Sequence, residues 1–243
     1  MKTFTTDILR QSAPIAAILL VGLLCGSAAF AGPISVSTCA AFADGPTTSG
    51  ASVFPVSCNN DTTGTLEATM SSPFTYTTTS GTTSGFVNSA VYDDGGTLDF
   101  YYQVLNNASS ADGLSTLSVS DFVLASTTNA AYVTDGASLT GAGFLNGTIT
   151  PQTSDRYTNG TTIQFLFYPP STPTDEIAPG DASYVVIVST NATKWTTGNA
   201  AVLDSGSATV ASFQPGSVPE PASLGLLGLG LIGLAALRRR RVR

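Results

Sequence analysis

Between residues 32 and 216 no segment brings an apolar residue back every 3.6 positions, so nothing there presents the stripe by which a surface helix is buried. What recurs instead are short runs of aromatic and β-branched residues bounded by Gly, Pro, Asn and Asp, the pattern of strands cut by turns. Leu98–Leu105 follows Asp93-Asp94-Gly95-Gly96 and ends at Asn106-Asn107. Thr116–Leu124 is interrupted by Asp121, and Thr161–Tyr168 is stopped by Pro169-Pro170. Ser183–Ser189 is apolar on both faces and therefore central, and Ser207–Phe213 is the last run. Charged residues are only 10% of the chain, and Lys and Glu, which usually coat helices, are nearly absent.

These runs predict an all-β fold, an antiparallel β-sandwich in one domain over residues 32–213. Ala178-Pro179-Gly180-Asp181-Ala182-Ser183-Tyr184 resembles the tyrosine corner of immunoglobulin-like sandwiches. That likeness implies an immunoglobulin-like arrangement in which the Tyr184 phenol bonds to upstream backbone. Residues 32–85 differ, being rich in Ser and Thr with few large apolar side chains; their first part reads as a disulfide-tied hairpin added to the sandwich edge, or else as a loosely ordered arm. Cys39 and Cys58 are the cysteines outside the leader, and in an exported chain their expected state is a disulfide. A reactive thiol pair is the alternative, against which stand the spacing, which is not C-x-x-C, and the lack of a basic neighbour.

The charge is unevenly placed. Only Arg156 and Lys194 lie between Gly32 and Gly216, against fourteen carboxylates, a net of −12. So acidic a domain repels phosphate backbones, and no nucleic-acid partner is expected. The chain has no histidine. That removes the commonest general base, the commonest zinc ligand and every Ser-His or Cys-His nucleophile pair, so no enzyme activity and no cofactor are expected.

Both ends carry targeting patterns. Lys2 and Arg10 precede the apolar run Ala13–Leu24, and Ala29-Phe30-Ala31 is an A-x-A-like site: a signal peptide, helical in its apolar part, with cleavage expected after Ala31. Export through the Sec translocon follows. After a spacer at 214–218, Val218, Pro219, Glu220 and Pro221 precede an uncharged stretch, 222–237, and then Arg238, Arg239, Arg240, Arg241 and Arg243. As a helix the uncharged stretch is about 24 Å long, enough to cross a thin bilayer as a C-terminal transmembrane helix. The prolines fix its start, and the arginines stop transfer at the cytoplasmic side.

The order Val-Pro-Glu-Pro, Gly/Leu-rich span, arginine block resembles the PEP-CTERM sorting signal of Gram-negative bacteria. The resemblance implies an exosortase, a membrane cysteine transpeptidase, that processes the chain near Pro219-Glu220-Pro221 in 219–243. It also implies an inner-membrane-anchored precursor, a final place at the cell surface or outside it, and association with exopolysaccharide and biofilm. The stretch from Tyr102 to Asn191-Ala192-Thr193 looks like a middle region of PEP-CTERM cargo of unassigned function.

Other candidate sites are weaker. Asp93, Asp94 and Asp99 surround Gly95-Gly96 and offer oxygens to calcium, yet Asp-Asp-Gly-Gly is also an ordinary turn. Asp204-Ser205-Gly206 matches the aspartic-protease tripeptide without the second copy that the shared proton requires. A two-carboxylate glycosidase has no pair singled out. Trp195 could stack on a sugar or pack at a sheet end.

Overall fold

Strand-forming runs with little helix content bury their apolar faces by stacking sheets, and the chain does so twice over. The computed structural model describes residues 34–36, 56–58, 64–125, 128–157, 160–167 and 176–216. The signal peptide 1–31 with Ala29 and Ala31, Cys39, and everything from Ser217 on lie outside the described residues; this includes Val218–Pro221, the span 222–237 and the arginines. The strands are β1 (Ile34–Val36), β2 (Val56–Ser57), β3 (Thr65–Thr78), β4 (Gly81–Asp94), β5 (Thr97–Asn106) and β6 (Thr116–Val119). They continue as β7 (Thr128–Val133), β8 (Thr153–Arg156), β9 (Ile163–Leu166), β10 (Val185–Thr190), β11 (Trp195–Leu203) and β12 (Ser207–Pro215).

The larger sheet runs β1-β7-β10-β5-β4-β3, with β2 also on β7, and the smaller runs β12-β11-β6-β9-β8. All pairings are antiparallel except those of β1 and β2, which are parallel to β7. Between the sheets, Phe100, Tyr102, Val104, Val186 and Val188 meet Leu117, Val119, Ile163, Phe165 and Phe213. The Tyr102 phenol crosses this core to donate to the Phe213 carbonyl at 2.6 Å, so burying the ring leaves no unmet donor. A second apolar cluster covers the outer face of the larger sheet. There Ala90, Tyr101, Ala131 and Ile187 lie under Leu139, Ala142 and Phe144 of the loop after β7.

Several expectations are revised. Residues 65–85, expected as part of the Ser/Thr-rich edge region, fall in the two longest strands, β3 and β4, and the turn between them. On β3 the apolar residues alternate with exposed Thr and Ser; Ala68, Met70, Phe74 and Tyr76 face the inter-sheet core, while Leu66, before the register shift, packs on the outer cluster. The expected hairpin near residue 32 is instead two parallel segments laid end to end along β7. Val36 is opposite Ala130 and Val56 opposite Ala131, so the two segments share β7 as their partner and do not pair with each other. β6 stops at Val119, because Asp121 takes a left-handed φ of 64° and a 3-10 turn, Phe122–Leu124, follows. β11, beginning at Trp195, was not expected, and β12 reaches Pro215, taking up the start of the expected spacer. Among the described residues Tyr184 makes no hydrogen bond to upstream backbone through its phenol. Its ring stacks on Tyr132 with centroids 5.4 Å apart, and its backbone N–H donates to Ile149 at 2.8 Å.

Arg156 is fully buried, which a guanidinium tolerates only when its N–H groups are met. It donates to the carbonyls of Phe122 (2.6 Å), Ala125 (2.7 Å) and Gly160 (3.1 Å), and to Thr128 Oγ1 (3.3 Å). The side chain thus gathers the turn after β6, the start of β7 and the β8–β9 loop around one planar fork. Burial lowers its pKa to about 10. Arg156→Lys, which cannot span the Phe122, Ala125 and Gly160 carbonyls with one ammonium, should cost about 2–4 kcal/mol in a denaturant titration. A loss under about 0.5 kcal/mol would show that the fork is dispensable.

Candidate functional site

The described residues bring three carboxylates together at one end of the smaller sheet. Asp204 follows β11, Asp112 precedes β6, and Glu176 stands beside Ile177, whose N–H donates to the Leu114 carbonyl. Their ligating oxygens all lie within 4.8 Å of one another, and each side chain is partly buried. Local turn chemistry puts them there. The Asp204 N–H donates to the Gly206 carbonyl (2.9 Å) in the β11–β12 turn. Asp112 Oδ1 accepts the Gly113 N–H (3.0 Å), and its Oδ2 accepts the Ser205 hydroxyl (2.9 Å). Buried Asn106 donates from Nδ2 to the carbonyls of both Asp112 and Ile177 at 2.9 Å, holding the two loops at a fixed spacing.

Oxygens this close suit a hard cation with bonds of about 2.3–2.6 Å, or a shared proton. The Glu176 carboxyl is held above its ordinary value, first by burial and then by the Asp204 and Asp112 charges. Tyr76 of β3 is raised too, mainly by burial, with the same three carboxylates adding to it.

The sequence-derived candidates are dispersed. Asp93 and Asp94 end β4, and Gly95 and Gly96 make its two-residue turn into β5 with φ of 66° and 101°, a conformation open to Gly. Asp93 Oδ1 accepts the Gly96 N–H at 2.6 Å, the role of a turn residue. Asp99 is buried in β5 opposite Tyr92, and the three aspartates do not converge on one site. Asp204-Ser205-Gly206 is a hairpin turn whose Asp204 joins the trio. Cys58 is 3% exposed and donates its N–H to the Tyr132 carbonyl at 2.7 Å. Trp195 opens β11, edge-on to Phe213 at 5.0 Å. Among the described residues no helix is long and apolar enough to cross a membrane.

A carboxyl whose pKa is raised in the fold binds its proton more tightly folded than unfolded. Stability is therefore gained as the pH falls through the folded pKa and is lost as the pH rises. Burial shifts Asp155 in the same direction. Thermal unfolding should show Tm rising as the pH is lowered from about 7 toward about 4.5, and Glu176→Gln should reduce the slope and stabilise the neutral protein by roughly 0.5 kcal/mol. A neutral-pH loss on that substitution would mean that the Glu176 charge is favourable where it stands.

No curated protein and no solved structure matches the chain. A family model does match at the C-terminus: the PEP-CTERM protein-sorting motif, over residues 217–241. That motif implies exosortase processing of a membrane-anchored precursor exported to the cell surface, and it leaves the function of the β-domain open. Over Pro219-Glu220-Pro221, the apolar stretch and Arg238–Arg241, the chain thus carries a PEP-CTERM protein-sorting motif.

Proposed function

We propose that this is a non-enzymatic surface or matrix protein. Its β-sandwich is delivered by the Sec translocon and an exosortase to work among exopolysaccharides of the cell surface or biofilm. The sorting motif carries this reading. The absence of histidine from the chain supports the non-enzymatic part, because the commonest general base and the Ser-His and Cys-His nucleophile pairs cannot be assembled. In this reading residues 222–237 hold the precursor in the inner membrane only until Pro219-Glu220-Pro221 is processed. The stretch is short for a durable span.

We also propose that Cys39 and Cys58 form a disulfide. β1 ends at Val36 opposite Ala130 and β2 begins at Val56 opposite Ala131, neighbouring positions of β7, and Cys39 and Cys58 follow these two residues by three and two positions in the sequence. The protein isolated without reductant should then resist alkylation until it is reduced and denatured. Labelling of both thiols in unreduced, denatured protein would exclude the bond.

A carbohydrate- or calcium-binding module is the second reading, favoured by the convergence of Asp112, Glu176 and Asp204. Isothermal titration with calcium and with the producing organism's polysaccharide separates the two, since binding heat from either ligand would replace a purely structural role. The sorting reading is tested by intact mass from the native host, with and without the exosortase. The wild-type mature chain should lack Arg243, and the residue should be retained when the enzyme is missing. A wild-type chain still ending in Arg243 would reject processing.

A further inference from the structure

The two ends of the smaller sheet differ in what they expose. Across four strands its last shared row is Ala200–Val119–Ile163–Arg156, and past it β11 and β12 continue as a two-stranded ribbon to Trp195 opposite Pro215. Trp195 is 39% exposed despite its contact with Phe213. Tyr157, just after β8, and Val123, in the 3-10 turn after β6, are exposed at the same end. The Gly216 N–H donates to the Lys194 carbonyl at 2.8 Å, so Lys194 and Trp195 stand where the chain departs for its tail. Lys194 is the one exposed cation among the described residues, since Arg156 is buried. The acidic trio Asp112, Glu176 and Asp204 lies at the opposite end, past Leu203 and Thr116.

Chain length then limits where this end can go. Residues 217–221 separate Gly216 from the apolar stretch, and fully extended they reach at most about 18 Å. Trp195 pairs directly with Pro215, so it lies about one strand spacing from the root of that tether. While residues 222–237 occupy the bilayer, the ribbon end is held beside the headgroups. An indole that stays 39% exposed while its ring meets Phe213 favours that layer, and a neighbouring lysine can extend its ammonium to lipid phosphates. Charge alone does not drive the contact: Asp121 is exposed here, and the Leu98 N–H bond to the Ala192 carbonyl brings the Asp93-Asp94 turn to the same end.

We propose that the Lys194–Trp195 end of the β11–β12 ribbon is a bilayer-contacting surface in the precursor, holding the domain against the membrane while its tail is inserted. The inference rests on the membrane-held tail proposed above. Trp195 is the only tryptophan in the chain, so its fluorescence reports this position alone. The full chain is reconstituted in phosphatidylcholine vesicles, and insertion of the tail is scored separately by flotation and alkaline extraction. Trp195 emission should shift to the blue, lose acrylamide quenching, and be quenched more by lipids brominated near the headgroup than by lipids brominated near the chain end. Unchanged emission and no bromine quenching in vesicles that do hold the inserted tail would overturn this proposal and leave the tail reading standing. Failure of insertion would overturn both. Shielding that arises only when the exosortase is co-reconstituted would assign the surface to a protein contact and overturn the bilayer assignment.

Discussion

Burial of β5 and β10 on both faces is the constraint from which most of the structure follows. Phe100, Tyr102 and Val104 face the smaller sheet, while Asp99, Tyr101 and Gln103 face the other way and are equally buried. An outer face carrying Tyr101 and Ile187 cannot be left in water without a large apolar exposure, so the chain must supply a cover. The loop after β7 does this with Leu139, Ala142 and Phe144. Because a loop brings backbone groups that need partners, amides on the sheet receive it. Gln103 donates to the Leu145 carbonyl (2.7 Å) and accepts the Leu145 N–H (2.9 Å), while Asn88 donates to the Gly143 carbonyl (3.1 Å) and accepts the Ser71 hydroxyl (2.7 Å). Polar residues inside strands are here the attachment points of a lid.

The same economy of charge shapes the periphery. The domain has one buried cation, Arg156, and it joins two loops through three backbone carbonyls. The long edge strand β3 offers free backbone groups to any passing strand, a hazard for a surface protein. Pro73 lacks an N–H in the middle of that edge, and the register breaks at Glu67, between Leu66 and Ala68. Both are features that hinder the addition of a further strand.

Much of the fold was legible where apolar runs were dense. The stretch 98–105 fell within β5, and 183–189 marked β10 apart from Ser183 and Tyr184, which precede it. β3, β4 and β11 were not recognised because Thr and Ser, which suit strands as well as turns, hide a period of two when only every other residue is apolar and few of those are large. The acidic trio was not legible at all. Its members are 64 and 28 positions apart in the chain, and no local spacing joins Asp112 to Glu176 or Glu176 to Asp204. Asp93, Asp94 and Asp99 drew attention because they are close in sequence, yet a tight turn followed by a strand points them to different surroundings.

The amino-acid sequence by itself determined the address of this protein and the β character of its cargo. A sorting signal is read as a linear segment by other machinery, and a period-two apolar pattern is a local property of the chain. Tertiary structure alone decided which strands are neighbours, why Arg156 could be buried, where the outer lid sits, and that Trp195 stands at the root of the tail with the acidic trio at the far end. Those features depend on pairings between distant segments. They are settled by which combination of faces buries the apolar side chains while leaving each backbone group a partner.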